Sequence, residues 1–442
     1  MKTRRTIRAV AALAALSLVA AACGDDDDDG DGADTTEAAA DDGDAAADDG
    51  DDMAEDEGDD MAEDDGDDMA EDDMAEDDGD DMAEDDMAED DMGMMECEEL
   101  RPVSLQLQWF TQAQFAGYYA GVDQGFYEDH CLELTILEGG VDIVPQVQLA
   151  NGDADFAISW VSKALQSREQ GANIVNIAQI FQRSGTLQVS FADQGITSPA
   201  DFAGKKIGNW GFGNEYEVFA ALGQAGLDPA TDVELVAQNF DMVALLEGEI
   251  DAAEAMTYNE YAQVLEAVNP DTGELYQPED FNVINYTDEG VGMLQDAVWA
   301  DAGRLADEPE YRDLAVSFVT ASMEGWMYCR DNVEECQQIV LANGPTLGAS
   351  HQLWQMNEVN KLVWPSPNGI GFIDQADWDQ TVELSQNTPN LEGTTVLTAP
   401  PTDGAFTNEI VEEAWTHLNE AFTDPFGEGF TPIEVTLNEG GA

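Results

Sequence analysis

Four short segments combine aromatic rings with amide, hydroxyl and carboxylate side chains, and they are where this sequence could do chemistry. Flat rings offer faces for stacking, while amides and carboxylates match the hydrogen-bonding groups along the edge of a planar molecule. The combination predicts a binding site for a small planar nitrogen heterocycle. The candidate ligand-binding residues are Trp109, Gln112, Gln114, Phe115, Tyr118, Ser159, Trp160, Trp210, Asn214, Glu215, Tyr258, Asn259 and Glu260.

Signals of catalysis are weaker. His130, His351 and His417 are the only histidines, and they do not show the spacing of a metal site. No G-x-S-x-G segment supplies a nucleophilic serine. The glycine-rich stretch 208–213 is not G-x-G-x-x-G, and its tryptophan and phenylalanine would occupy the space of a pyrophosphate. We therefore predict a binding protein with no catalytic residues, no metal and no cofactor.

The candidate residues follow predicted strands. Apolar–polar alternation and glycine stops predict a βαβα series, with strands over 103–108, 132–137 and 154–159 and helices over 114–125, 143–150 and 164–170. A second series has strands over 206–210, 233–237 and 252–256, and helices near 215 and over 242–247. After residue 283 the pattern is mostly helical, over 311–328, 333–342 and 375–385. Such alternation predicts doubly wound α/β lobes.

The folded region, about 345 residues long, is large for one core, so two lobes are expected. Two extended crossings, near 187–191 and 282–293, would join them as a hinge. We predict lobe I over 97–188 plus 289–442, and lobe II over 189–288. Ligands of open α/β sheets lie at the carboxyl ends of strands, which here face the cleft between the lobes.

The amino terminus indicates export. A basic start and a short apolar run, 9–22, predict a signal peptide over 1–22, because a membrane-spanning helix needs about 20 apolar residues. The segment 18–24 resembles the cleavage box of bacterial lipoproteins, which implies lipidation of Cys23 and attachment to the outer face of the cytoplasmic membrane.

An acidic linker is predicted over 23–96. Residues 24–96 hold forty Asp or Glu and neither Lys, Arg nor an aromatic residue, so they cannot bury enough apolar surface to order the chain. Residues 97–442 carry ten Lys or Arg against fifty-six Asp or Glu. This charge excludes a nucleic-acid partner, because phosphate repulsion would oppose every approach.

Four cysteines remain after Cys23, and an even number in an exported domain predicts two disulfides, with three pairings open. We favour Cys97–Cys131 and Cys329–Cys336. The second pair flanks a break between two predicted helices at Arg330-Asp331-Asn332.

An ordered set of segments resembles one known family. It comprises 105–109, 116–120, 125–127, 132–136, 151–156, 204–208 and 248–252. The chain is similar to bacterial thiamine-pyrimidine-precursor-binding proteins and eukaryotic thiamine pyrimidine synthase. The resemblance implies a type II periplasmic-binding clamshell, delivery of ligand to an ABC transporter permease and a monomeric protein. Relatives bind pyrimidines, riboflavin or alkyl sulfonates.

The synthase branch of this family uses a lysine, a histidine and a cysteine-rich run. Here Ser159 stands at the apparent lysine position, Lys163 near the histidine position, and 292–298 contains no cysteine. A sulfonate would need basic groups, yet the candidate clusters contain none, with Arg183 the nearest exception. We therefore expect a thiamine pyrimidine precursor of the formylaminopyrimidine or hydroxymethylpyrimidine type, with riboflavin as the alternative.

Overall fold

The computed structural model describes Cys97, residues 99–211 and residues 213–441, and the structural statements below concern these residues. The predicted signal peptide (1–22), the lipidation site at Cys23 and the acidic linker (23–96) lie outside them.

The first sheet has five strands in the spatial order β2-β1-β3-β10-β4. Strand β1 pairs in parallel with β2 and β3, whereas β10 runs antiparallel between β3 and β4. Strands β3, β4 and β10 carry almost only buried residues, as expected where helices cover both faces of the sheet. The strands are β1 (Arg101–Gln106), β2 (Leu132–Leu137), β3 (Phe156–Trp160), β4 (Ile174–Gln179) and β10 (Asp296–Asp301).

The chain between β4 and β10 forms a second sheet of three strands and a third sheet of two strands. The strands are β5 (Thr186–Phe191), β6 (Lys206–Asn209), β7 (Glu234–Ala237), β8 (Ala253–Met256) and β9 (Phe281–Asn285). In the second sheet β5 lies antiparallel between β8 and β9, and in the third β6 pairs in parallel with β7. A backbone hydrogen bond of 2.8 Å from Gly208 to the Ala252 carbonyl connects these two sheets. The five-stranded sheet is the centre of one lobe, and the two smaller sheets together are the centre of the other.

Thirteen α-helices of the described residues surround these sheets: α1 (Ala116–Asp123), α2 (Phe126–Asp129), α3 (Pro145–Asn151), α4 (Val161–Glu169), α5 (Tyr216–Gln224), α6 (Val243–Leu246), α7 (Glu260–Leu265), α8 (Ala302–Asp307), α9 (Pro309–Asp331), α10 (Val333–Asn343), α11 (Ala349–Val363), α12 (Gln375–Asn387) and α13 (Glu409–Trp415). Within the described chain, no helix is long and apolar enough to span a bilayer.

The predicted α/β alternation is confirmed, with shifts of a few residues at element ends. The elements that were not predicted are β4, β10, α2, α7, α8, α11 and α13. Strand β10 matters most, because the expectation of mostly helix after residue 283 left no strand there. Its apolar run Ala297-Val-Trp-Ala300 is short and lies in the middle of the first sheet, where a strand is buried on both faces and shows no alternation.

The predicted crossings at 187–191 and 282–293 are misplaced. All of the first range belongs to β5, and the start of the second belongs to β9; these two strands pair in the second sheet. The chain passes between the lobes at 180–185 and 286–295 instead. Sequence shows that backbone is extended but not which strand it pairs with. The exact boundaries of lobes I and II stay a prediction.

The long helix α9 packs closely against α1 in the core of the first lobe. A β-carbon at Gly325 would lie 2.0 Å from the Gly117 carbonyl oxygen, so only glycine permits this approach. The cysteines meet in the favoured pairs, with Cα atoms 5.5 Å apart in Cys97–Cys131 and 5.3 Å apart in Cys329–Cys336, which are disulfide separations.

Candidate functional site

A cavity of about 570 Å³ lies between the two lobes. The first lobe contributes the segment after β1, residues 140–147 and the junction of β3 with α4. The second lobe contributes the loop after β6, Phe240 and the segment after β8. Because strands β1, β3, β6 and β8 all end at this cleft, side chains far apart in sequence meet there.

Eleven of the thirteen predicted residues line this cavity: Trp109, Gln112, Gln114, Ser159, Trp160, Trp210, Asn214, Glu215, Tyr258, Asn259 and Glu260. Phe115 and Tyr118 do not. Both are fully buried: Phe115 directly precedes α1, and the Tyr118 ring on α1 packs against Phe318 and edge-on against Trp326 of α9. The sequence alone does not distinguish an aromatic residue near a strand end that faces the core from one that faces a cavity.

A buried carboxylate, Asp296, organises the floor of the cavity. Its Oδ1 accepts hydrogen bonds from Gln108 Nε2 at 2.5 Å and from the Trp160 indole at 2.9 Å, and its Oδ2 accepts from Gln114 Nε2 at 2.9 Å. Gln112 Nε2 in turn donates to Gln114 Oε1 at 2.7 Å. Burial raises the pKa of Asp296 to about 7, although these donors favour the charged form.

Asp296 determines what the amides present to a ligand. The N–H groups of Gln108 and Gln112 supply the contacts to Asp296 and Gln114, and no described residue donates a hydrogen bond to their amide oxygens. They therefore remain acceptors at the cavity wall. Asp296 itself lies at the start of β10, and no local pattern marked it as part of a site.

Aromatic rings form the side walls. The Trp109 and Phe240 ring centroids are 4.7 Å apart at a tilt of 59°, and the Phe240 and Trp210 rings are stacked at 5.8 Å. Trp109 belongs to the first lobe and the other two to the second, so this cluster spans the cleft. Trp210 is held by its indole N–H, which donates to the Asn239 carbonyl at 3.1 Å.

Lys163 supplies a cation that we did not predict in the pocket, so the expectation of no basic group there is wrong. Its ammonium donates to Asn214 Oδ1 at 2.8 Å and lies 4.8 Å from the Trp160 ring centroid. Burial lowers the pKa of Lys163 to about 8, against the opposing effect of Glu215, Glu254 and Asp296. Lysine at the third position of α4 gave no local signal of facing the second lobe.

Arg183, named as the nearest basic exception, is not part of the cavity lining. Its guanidinium donates to the backbone carbonyls of Lys361, Trp364 and Pro365, so it ties α11 to the first crossing.

Carboxylates line or support the second-lobe wall. Glu260 accepts from the Met256 backbone N–H at 2.9 Å and from Asn259 Nδ2 at 2.7 Å. Glu215 accepts from the Gly213 N–H at 2.8 Å. Behind them, Glu254 is fully buried and accepts from the Trp210 N–H at 2.8 Å, and burial raises its pKa well above its usual value. The wall is rich in acceptors.

Beyond the predicted set, the structure adds Gln108, Gln146, Lys163, Phe240 and Met256 to the lining, with Asp296 behind them. Gln108 is one residue before a predicted one and could have been found by extending the first cluster. No cluster of three or more His, Cys, Asp or Glu in the described residues has metal-binding geometry.

Comparison with known protein families identifies the family of this chain. Residues 112–336, half of the chain, match the family described as NMT1/THI5 like. The chain belongs to the NMT1/THI5-like family. The match covers most of the cavity lining and ends before α11 begins.

Two curated relatives are similar over most of their length. The formylaminopyrimidine-binding protein of Halalkalibacterium halodurans is 23% identical over 292 residues, 64% of this chain and 84% of the relative. The riboflavin-binding protein RibY of Chloroflexus aurantiacus is 25% identical over 325 residues, 71% of this chain and 86% of the relative.

Solved structures agree on the fold. The periplasmic aliphatic sulphonate binding protein SsuA of Escherichia coli superposes with a TM-score of 0.50 at 14% sequence identity, covering 77% of this chain and 94% of that protein. The predicted type II periplasmic-binding clamshell, an α/β fold of two lobes, is thus confirmed.

Proposed function

We propose that this protein is the substrate-binding component of an ABC importer and captures a small planar N-heterocycle between its lobes. The observation that carries the proposal is the convergence of aromatic faces and hydrogen-bonding side chains on one cavity, with both lobes contributing. A ring entering the open cleft would bring Trp109, Phe240 and Trp210 around it, which favours the closed arrangement.

The polar groups support a ligand with hydrogen-bond donors on its edge. Gln108, Gln112, Glu215 and Glu260 offer acceptor oxygens, and an exocyclic amine or ring N–H would satisfy them. Lys163 is surrounded by Glu215, Glu254 and Asp296, so it does not make the cavity attractive to a sulfonate. A thiamine pyrimidine precursor of the formylaminopyrimidine or hydroxymethylpyrimidine type is our first candidate, and the formylaminopyrimidine-binding relative supports it.

Riboflavin is the second candidate, because of the cavity's size. A volume of about 570 Å³ lies in the middle of the range that holds drug-sized ligands, roughly 300–1,000 Å³, which is more than one small ring requires. The riboflavin-binding relative supports this alternative.

Binding without turnover fits the site better than synthesis of a pyrimidine. Ser159, at the apparent position of the synthase lysine, has its hydroxyl 3.3 Å from Gln146 Oε1. Residues 292–298, at the place of the cysteine-rich run, read Gly-Met-Leu-Gln-Asp-Ala-Val. We propose that the protein is not an enzyme and needs no cofactor.

Export completes the proposal. A signal peptide over 1–22 and a lipid on Cys23 would anchor the protein to the outer face of the cytoplasmic membrane. The linker 23–96 would let the lobes reach the permease, with the monomer as the functional unit. The first lobe boundary would lie within 180–185 rather than at 188/189, and the second within 286–295, near 288/289.

The decisive experiment is calorimetry of the purified protein with hydroxymethylpyrimidine, formylaminopyrimidine, riboflavin and an alkyl sulfonate, preceded by native mass spectrometry for a retained molecule. We expect a pyrimidine or flavin to bind in one-to-one stoichiometry and the sulfonate not to bind. Binding of the sulfonate alone would overturn the proposed ligand class. Incubation with pyridoxal phosphate and iron should give no pyrimidine phosphate, and a stoichiometric product would overturn the non-enzymatic role.

A further inference from the structure

A buried histidine lies directly behind the second-lobe wall of the cavity. His351, in the first turn of α11, is 2% exposed. Its Nε2 lies 2.9 Å from Asn259 Oδ1 and its Nδ1 lies 3.0 Å from Glu266 Oε2. Asn259 precedes α7 and Glu266 follows it, so one imidazole ring contacts both ends of this helix.

The positions of the protons follow from what each partner can accept. Asn259 Nδ2 donates to Glu260 Oε1 at 2.7 Å, so the oxygen of the Asn259 amide points to His351. Because an amide oxygen only accepts, Nε2 of His351 must carry a hydrogen. The Nδ1–Glu266 contact holds one shared proton, on the imidazole or on the carboxyl group. In both cases Nε2–H is retained, so the Asn259 amide keeps one orientation.

A fixed orientation defines what this wall presents. Asn259 has used its oxygen and one N–H, and no described residue accepts its second N–H. Glu260, which also lines the cavity, has remaining lone pairs. The second N–H of Asn259, a donor, thus lies beside the Glu260 carboxylate, an acceptor. The matching ligand edge has a ring-nitrogen acceptor next to an exocyclic amine donor, as in a 4-aminopyrimidine.

We infer that His351 is a specificity-determining positioning residue: by holding the Asn259 amide, it makes the site prefer a 4-amino ring to its 4-oxo counterpart. The 4-oxo ring reverses both groups, with a ring N–H and an exocyclic oxygen. Glu260 accepts one N–H of the Asn259 amide and His351 donates to its oxygen, so the amide is held at both ends. Without His351 only the Glu260 contact remains, and the amide can swing so that its second N–H no longer faces the ring nitrogen of the ligand. The inference rests on the proposed binding of a heterocycle. His351 lies beyond residues 112–336, so the family match does not include it.

The test compares the dissociation constants of hydroxymethylpyrimidine, a 4-amino ring, and its 4-oxo analogue, measured by calorimetry. For the wild-type protein we expect at least a tenfold preference for the amino ring, because a mismatched buried group loses its hydrogen bond. His351→Leu should reduce the preference to threefold or less. His351→Gln keeps a donor for Asn259 and should stay within threefold of the wild-type preference.

Trp354→Phe is the matched control. Trp354 also lies on α11, and its indole N–H donates to the Thr257 carbonyl at 3.0 Å, so it joins α11 to the same loop without touching Asn259. This variant should keep the wild-type preference. Asn259→Ala gives an independent route should His351→Leu not fold, since removing the amide should also bring the preference to threefold or less.

The outcomes are separable. Wild-type protein that binds neither of these rings nor riboflavin would overturn the proposed function, and wild-type protein that binds riboflavin alone, or both pyrimidines equally, would overturn this inference. Wild-type protein that shows the amino preference, with His351→Leu or Asn259→Ala retaining it, would overturn the role of His351 alone. Equal loss of preference in Trp354→Phe and His351→Leu would also overturn it, because the effect would then belong to the position of α11.

Discussion

Asp296→Asn is the most informative single substitution, since it keeps the shape of the side chain and removes its charge. The carboxylate accepts from Gln108, Gln114 and Trp160. An asparagine oxygen can retain the Gln108 and Trp160 contacts, but its NH₂ group then faces the Gln114 NH₂ group. Rotation of Gln114 transfers the mismatch to Gln112, which donates to Gln114 Oε1. One buried donor stays unsatisfied, at a cost of roughly 1–3 kcal/mol.

Burial of the Asp296 charge destabilises the wild-type protein, which favours the variant, and this effect depends on pH. The pKa of Asp296 is raised from 3.8 to about 7, so the folded protein holds this proton more tightly than the unfolded chain does. Its contribution to stability is therefore complete below pH 3.8 and is lost as pH rises to about 7. Between pH 5 and pH 8 the wild-type protein should lose ~3 kcal/mol that the variant does not lose.

The expected result is a change of ranking with pH. At pH 5 the variant should be less stable than wild type by roughly 1–3 kcal/mol, and at pH 8 equal to it or more stable. Urea unfolding followed by far-ultraviolet circular dichroism at pH 5, 6.5 and 8 measures both proteins. Subtracting the free energy of unfolding of wild type from that of the variant removes the contributions of the other titrating groups. These include Glu217, whose pKa is also raised to about 7 by burial. A difference constant within ~0.5 kcal/mol across this range would refute the reasoning.

Three further outcomes are expected. Trp210→Ala should weaken the binding of every heterocycle by a stacking contribution of ~0.5–1.5 kcal/mol. Glu215→Gln should weaken the binding of amine-bearing ligands only, by ~1–3 kcal/mol. Calorimetry measures both affinities, with the fold checked by circular dichroism, and unchanged affinities in both variants would show that the site lies elsewhere. Lys163→Met should raise the pKa of Asp296 further, because the ammonium lowers it; an unmoved pH midpoint of unfolding would contradict this. A chain starting at Glu96 should bind as the full chain does, and a tenfold loss, ~1.4 kcal/mol, would show that the acidic run takes part.

Local patterns were sufficient for most of the elements and for most of the candidate wall. Alternation in β1, glycine stops after α3 and α4, and the seven-residue spacing of Cys329 and Cys336 are all readable over a few neighbouring residues. The aromatic and amide clusters came to one cavity because each follows a strand, and the strands end at one cleft.

Long-range packing decided the remainder. Asp296 meets Gln108, 188 residues earlier in the chain, and His351 meets Asn259, 92 residues earlier. Lys163 crosses the cleft to Asn214, while Tyr118, in a segment of the expected composition, turns to α9 instead. The sequence by itself determined that there are two α/β lobes, which segments reach their cleft and that four cysteines can form two disulfides, with the pairing left open. Only the tertiary structure decided which carboxylate orients the amides, which cation enters the cavity and which histidine lies behind its wall, because those depend on how whole elements pack rather than on the neighbours of any one residue.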